Sequence, residues 1–474
     1  MKHLSLSAIF FICMLSLFSI LEAQSWHVFM YLDSSDNLND MIIKNITDAL
    51  KIPINDSVSF FIQLHAYDNI GLRYKITKDG LAFVDQVVLT GSDKQNFIDA
   101  ATWGFANCVA DNTMLVFGGH GFGILDPEWN ALISEWQAGT AALSNSCSAN
   151  QTESNNNDLG NNICLSNQVG MCSAESSSCS SNNIEVGDQT EACVLESNSC
   201  SVKKSMHRLY DTHCKQHRGF IFSLEPRSYL NNQDIIESLT IVVNKVLKGK
   251  KIDVIAFDTC MGGMLEVAYQ LAPFTHYLVG NQVCALRDGF DYTNIMQALN
   301  QGPAPRDLAK ELVQIFDNYY ITHDNKGIYA HTALDMSQVS AVCQALDDVV
   351  VSFLERSDAA ALALKAHTMS PRFCLFPMYT DVVSYVKSLE SLLLNNNLTQ
   401  ELKDKMHDFY AQIQQFVVAH CAGTHSGGAG AQSCAIYLPT YAIYDSYKNT
   451  LFAQQTQWIK LLQCISDRAV HAAA

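Results

Sequence analysis

No CxxC pair occurs anywhere in this 474-residue chain, which sets a structural zinc site aside as the reading of its cysteines. Past the amino-terminal end, no uninterrupted apolar stretch approaches the roughly 18 to 20 residues that a membrane helix needs, so the mature chain is expected to carry no span. Basic residues are also scarce. Thirty Lys and Arg against 47 Asp and Glu give a formal charge of −17, which makes nucleic acid an unsuitable partner. They are missing altogether from Gln95 to Val202, 108 residues over which the overall frequency implies roughly seven.

What is present begins with Met1-Lys2-His3, an apolar segment from Leu4 to Leu21, and Glu22-Ala23 before polar Gln24-Ser25. This is the layout of a secretory signal peptide cleaved after Ala23, and it predicts a secreted or periplasmic protein. Of 16 cysteines, Cys13 falls in the signal. Setting Cys260 aside leaves an even number, 14, which in an oxidising compartment predicts up to seven disulfides. Asn45, Asn55, Asn150 and Asn397 open N-x-S/T triplets, acceptors only in a eukaryotic secretory pathway.

Trp26 to Leu32 and Val58 to Leu64 read as buried strands around a helical stretch near Leu38 to Leu50, the βαβ rhythm of a parallel sheet. Leu72 to Ile76 and Ala82 to Leu89 read as a hairpin turning at Lys78-Asp79-Gly80, and Asp93 to Phe105 as a helix. From 137 to 208 the composition turns to Ser, Asn, Gly and Cys, an insertion too poor in large apolar residues to build a core. Seven cysteines lie between Cys147 and Cys214, and the Cys172 to Cys179 block recurs at Cys193 to Cys200. Strand and helix patterns then resume, with Ile252 to Asp258 and His276 to Val283 as strands and a helix running from Gly262 to Leu271. The expected organisation is an α/β domain in two pieces, 24–136 and 209–325, around that insertion. A smaller C-terminal α+β region, 326–474, follows, with a strand at His331 to Met336, a helix from Thr399 to His420 and a strand at Cys434 to Leu438.

Two strand ends carry chemistry. The apolar run Ile252 to Ala256 leads into Phe257-Asp258-Thr259-Cys260-Met261 and Gly262-Gly263, and Met114 to Phe117 leads into Gly118-Gly119-His120-Gly121. A thiol attacks carbonyl carbon only as the thiolate and titrates near 8.5 when free, so a neighbouring imidazole and a following helix N-terminus are its usual activators. Parallel strands bring both ends to the carboxyl edge of the sheet, where open α/β sheets place their sites. Cys260 is therefore the candidate nucleophile and His120 the candidate general base, with the amides of Gly121 and Cys260 as a candidate oxyanion hole. Strand alternation puts Asp258 on the side of Cys260. A carboxylate there is costly to desolvate unless a Lys or Arg of a substrate arrives to pair with it, which predicts a basic residue before the scissile bond.

On these residues the chain resembles the clostripain family of cysteine peptidases, relatives of caspases, legumains and gingipains that share a strand-His-Gly and a strand-Asp-x-Cys element. Trp26 to Asp36, Asp288 to Tyr292, His331 to Met336, Tyr379 to Leu389 and Ala435 to Pro439 also look like family blocks. The resemblance implies a caspase-like parallel-sheet αβα sandwich with a C-terminal α+β extension, the Cys-rich insertion being a departure from the family. It implies protein or peptide substrates with Arg or Lys at P1, cut by a His120/Cys260 dyad without an obligatory third residue. Asp258 and Asp288 would line the S1 pocket, with Asp291 close enough to exchange with Asp288. It also implies processing between the His and Cys elements and, in some members, calcium dependence, although no metal-ligand set is read here. An enzyme with that specificity finds nothing to cut from Gln95 to Val202. The first basic residues beyond are Lys203, Lys204 and Arg208, and cleavage there would give light and heavy chains that disulfides could hold together. Two other readings use the same residues: a caspase-like peptidase with another P1 preference, and a disulfide-rich secreted binding or adhesion protein in which Cys260 is bridged.

Overall fold

Three strands of the nine-stranded sheet are buried at every residue, and they lie at its centre, where they position the two strand ends. In chain order the strands are β1 (Trp26–Asp33), β2 (Val58–Ala66), β3 (Ile70–Thr77), β4 (Gly80–Val88), β5 (Asn112–Gly118), β6 (Ile221–Ser223), β7 (Ser228–Leu230), β8 (Ile252–Asp258), β9 (Thr275–Asn281), β10 (Ala330–Asp335), β11 (Tyr379–Asp381), β12 (Val417–Ala422) and β13 (Ala435–Tyr437). Within that sheet β1, β5 and β8 are the fully buried ones, and their near-continuous apolar sequences follow from being covered on both faces. This computed structural model describes residues 23–34, 38–66, 69–106, 108–121, 123–125, 221–223, 228–286, 288–323, 329–373, 377–424, 430–439 and 442–473. All belong to one unit made of 1–137 and 213–474. The signal segment before Ala23 and the Cys-rich segment 138–212 lie outside the described residues.

Nine strands form one sheet in the order β12-β10-β9-β8-β5-β1-β2-β3-β4. The middle five, β9 to β2, are parallel. The flanks are antiparallel: β10 and β12 on one side, the β3/β4 hairpin on the other. Alternate side chains enter two cores. Phe29, Tyr31, Leu115, Phe117, Ile255 and Phe257 pack with helices Asp93–Gly104, Asn232–Ile241 and Leu265–Leu271. Val28, Met30, Met114, Val116, Val254 and Ala256 pack with helices Asn39–Ala49, Tyr292–Asn300 and Pro305–His323. This is the expected α/β sandwich. Side-chain caps fix several helix starts: Ser92, Asn231, Asp291, Asp381 and Thr399 each accept from an amide of the first turn.

Four expectations change. The helix read from Thr399 to His420 ends at Phe416, and Val417–Ala422 becomes β12, because the β-branched pair Val417-Val418 meets the open edge of β10. β10 and β12 thus extend the central sheet, so the 325/326 boundary separates no domain in it; β11 and β13 form a separate two-stranded sheet. The helix after the thiol begins at Leu265 rather than Gly262. Finally, none of the seven described cysteines is bridged. Cys343 and Cys434 serve as small apolar core residues, so the pairing of fourteen does not hold for the described ones. Cys147 to Cys214 lie outside the described residues. Among the described residues no helix is long and apolar enough to cross a membrane.

Candidate active site

The register of the central sheet brings the two motifs together. β5 and β8 are adjacent parallel strands with Gly118 opposite Asp258, and His120 and Cys260 each stand two residues further along. The His turn then lies against the Cys turn: a Cβ on Gly121 would come within 2.6 Å of the Cys260 carbonyl oxygen and 2.7 Å of Thr259 Oγ1, so only glycine lets the two approach this closely. His120 and Cys260 are both partly exposed, and Cys260 is a free thiol, which removes the bridged-cysteine reading for this residue.

Several hydrogen bonds hold the thiol's backbone. The Thr259 carbonyl accepts from Asn281 Nδ2 at 3.1 Å, and Asn281 Oδ1 is in turn 3.0 Å from Nδ1 of His331, itself stacked on Phe316. On the other side the Met261 amide donates to the Val283 carbonyl at 3.1 Å and the Gly263 amide to the Asn281 carbonyl at 2.8 Å. Met261 takes a left-handed conformation, φ 59°, at a cost of order 1–3 kcal/mol that these bonds offset. The C-terminal region adds the Ala435 amide, which donates to the Gly263 carbonyl at 2.9 Å, and the Tyr437 amide, which donates to Glu266 Oε1 at 2.8 Å. Loss of any of these bonds would loosen the turn that carries Cys260.

The sulphur itself is surrounded by donors. The Cys284 thiol hydrogen-bonds it and is the largest influence lowering its pKa, joined by the amides of Ala285, at 3.2 Å, and Gly121; burial and the nearby Asp258 charge act in the other direction. The net shift is downward, toward thiolate. This is activation by individual donors rather than by the short 265–271 helix. Gly121, expected to donate to an oxyanion, lies with its amide at the thiol.

Asp258 occupies a different environment. Strand alternation stops where β8 stops, and a bend at Thr259 follows, so Cys260 packs against the core of Phe257 while Asp258 is held beside Phe290 and Tyr292 of the opposite core. The expected same-side placement is therefore lost, although the charges remain within reach of one another. Asp258 is buried, and its Oδ2 accepts from the Tyr292 hydroxyl at 3.0 Å and the Phe290 amide at 3.3 Å. Desolvation pushes its pKa up to about 6 despite those two donors. Its Oδ1 has no donor, and neither has Oδ1 of buried Asn45 on the 39–49 helix. Gly289, at φ +64°, lies against both residues: a Cβ there would lie 2.8 Å from Asn45 Nδ2 and from Asp258 Oδ2. Burial also removes Asn45 as a glycan acceptor.

Asp288 is half-buried and its Oδ2 accepts from the Tyr319 hydroxyl at 3.1 Å. Asp291 has a local role: it caps the 292–300 helix and accepts from the Asn294 amide at 3.2 Å. Arg287, Lys203, Lys204 and Arg208 lie outside the described residues. Among the described residues no group of three or more His, Cys, Asp or Glu is arranged to hold a metal. The cavity of about 320 Å³ lined by Asp253, His276, Arg306 and Asp335 includes residues from the opposite, amino ends of β8 and β9. Sequence reasoning missed Asn45, Asn281, Cys284 and His331. Tyr292 could have been found, since it ends the Asp288 to Tyr292 block.

A mostly parallel sheet between two helical layers, with imidazole and thiol at adjacent strand ends, is the frame of the caspase-like hydrolases. The model of the clostripain family, peptidase C11, matches residues 209–464, more than half of the chain, and the chain belongs to that family of cysteine proteases. No curated protein matches the chain. Among solved structures it is similar to a secreted C11 cysteine protease of Bacteroides thetaiotaomicron, iotapain, with 15% identity, 92% of this chain and 100% of that one covered, and a TM-score of 0.56. A complex of a secreted C11 protease of that organism with an irreversible peptide inhibitor scores 0.55, at 14% identity with 93% and 99% covered. An inactive zymogen C11 protease of Parabacteroides distasonis scores 0.53, at 12% identity with the same coverage. At these identities the likeness is one of fold.

Proposed function

We propose that this protein is an exported endopeptidase that cuts after Arg or Lys through His120 and Cys260. The observation that supports the specificity is the pair of acceptors Asp258 Oδ1 and Asn45 Oδ1, both buried and both without a donor, on two side chains that meet at Gly289. An arginine or lysine side chain brings several donors and the positive charge that a buried carboxylate lacks. Asp288 completes the pocket at its more exposed side. In the reaction His120 takes the Cys260 proton and the thiolate attacks the scissile carbonyl. The oxyanion is received by the amides of Gly121 and Cys260, and His120 returns the proton to the leaving amine, giving a thioester. His120 then deprotonates a water that hydrolyses the thioester, which releases the acid and restores the thiol. The dyad supplies nucleophile, base and acid, so no cofactor enters this reading, and chelation with EDTA is expected to leave the rate unchanged.

Export rests on the signal pattern before Gln24 and on a fold shared with secreted proteases. Maturation by self-cleavage at Lys203, Lys204 or Arg208 rests on the basic-free run that ends at Val202. Hydrolysis of Arg, Lys, Asp and Asn reporter peptides by wild type and Cys260→Ala tests the whole: cleavage of Arg and Lys reporters by wild type alone is expected, and equal activity of the two proteins ends the reading. New amino termini outside 203–218, or maturation of an isolated Cys260→Ala chain, remove the self-cleavage step. A second reading keeps the dyad and treats Asp258 as an anchor for Tyr292 and the Phe290 amide, with a different P1 preference. A positional-scanning peptide library separates the two.

A further inference from the structure

Cys284 adjoins the nucleophile by construction of the backbone, not by chance contact of long side chains. The Met261 amide donates to the Val283 carbonyl, and the Ala285 amide reaches Cys260 Sγ at 3.2 Å, so residues 283–285 run alongside 260–261 and carry the Cys284 thiol onto the same sulphur. That thiol hydrogen-bonds Cys260. Both cysteines are partly exposed, within reach of a small oxidant.

The other described cysteines differ in kind. Cys343, Cys421 and Cys434 are buried, and burial raises their pKa, as it does for partly buried Cys108 and Cys464. Thiolate character decides which cysteine a peroxide oxidises, and among these it is concentrated at Cys260. A bare active-site thiolate on that path proceeds to sulfinic acid, which is irreversible, unless a second thiol intercepts the sulfenic acid first.

We propose that Cys284 is a resolving cysteine, and that Cys260 and Cys284 form a reversible disulfide when the protein meets a peroxide. The Cys260 thiolate attacks the peroxide O–O bond, becoming a sulfenic acid and releasing hydroxide, which leaves as water. The Cys284 sulphur then attacks Cys260 Sγ, the S–S bond forms, and the sulfenic oxygen leaves as a second water with the Cys284 proton. Two thiols lose two electrons and one hydrogen peroxide is reduced. An external dithiol reverses the step. The disulfide removes the attacking electron pair from Cys260, so hydrolysis stops until reduction. This consequence for activity rests on Cys260 being the nucleophile, whereas the disulfide itself does not.

The test treats the full chain with hydrogen peroxide, blocks remaining thiols with N-ethylmaleimide, and maps linked peptides by mass spectrometry without reduction, with reporter hydrolysis measured in parallel. In wild type a Cys260–Cys284 peptide is expected to appear as activity disappears, and dithiothreitol should restore nearly all of it. In Cys284→Ser, compared with its own untreated rate, the loss should resist dithiothreitol and Cys260 should gain two or three oxygens. Absence of the linked peptide in wild type, with Cys260 passing straight to sulfinic acid, overturns the proposal, as does full recovery of Cys284→Ser. A linked peptide accompanied by undiminished hydrolysis supports the disulfide and overturns Cys260 as the nucleophile.

Discussion

Two buried aspartates, Asp258 at the end of β8 and Asp381 at the start of the 382–394 helix, show how the same residue serves opposite ends. Asp381 is fully buried and saturated: Oδ1 accepts from the Ser384 amide at 2.8 Å, and Oδ2 from the Gln432 amide at 2.9 Å, the Ser433 amide at 2.7 Å and the Ser433 hydroxyl at 2.9 Å. Burial still raises its pKa, but four donors divide its charge among themselves. Asp258 has two donors, both on one oxygen, and an empty second oxygen. Saturation marks a carboxylate that organises its own fold, here the joint between a helix and the segment leading into β13. Under-supply at Asp258 is what the proposed pairing with an Arg or Lys side chain requires.

The comparison can be broken most sharply at Asp258. Asp258→Asn is expected to lower kcat/KM for Arg and Lys reporters by about 10²–10³, since a cation entering the pocket would lose its charged partner. The same change should make the protein more stable at neutral pH. The folded pKa of about 6 lies above the ordinary 3.8, so the ionised form costs stability at pH above about 6, and the cost fades as the pH falls toward 4. Thermal melts should therefore favour the variant by up to about 3 kcal/mol at pH 8 and not at all below pH 4. A variant that loses both stability and activity would make Asp258 a second Asp381.

At Asp381 the prediction reverses. Asp381→Asn turns an amide N–H₂ toward at least one of those donors and should cost about 2–4 kcal/mol in chemical denaturation while leaving P1 preference untouched. A gentler probe is pH: the Ki of a non-hydrolysed amidine inhibitor should rise about tenfold per pH unit below 6, as Asp258 takes up a proton, and stay flat above it. The smallest effect is expected for Ser433→Ala, which removes one donor of four from Asp381 and should cost about 1 kcal/mol with kinetics unchanged.

The middle of the sheet was legible because its strands are covered on both faces and so spell near-continuous apolar runs; β1, β5 and β8 all announce themselves this way, and Lys78-Asp79-Gly80 marks the β3/β4 hairpin. His120 and Cys260 could be read off the ends of two such runs. β12 could not, since Val417-Val418 continues the apolar spacing of the preceding helix and becomes a strand only by meeting β10. Nor could the neighbours of the thiol. Asn281 and His331 come from β9 and β10 and Cys284 from the segment that follows β9, and no local pattern announces contacts made through strands that pair late in the chain. The side on which Cys260 falls relative to Asp258 was misread for a related reason: period-two alternation is a property of a strand, and β8 ends at Asp258.

The pairing of β5 with β8 has one more implication. His120 and Cys260 meet through sheet hydrogen bonds and two shared cores, and the long connection between the strands returns the 232–241 helix to one of those cores. A backbone break within that connection would turn one polypeptide into two that interlock like halves of a single core. Their grip on each other would be that of a protein interior, and parting them would amount to unfolding.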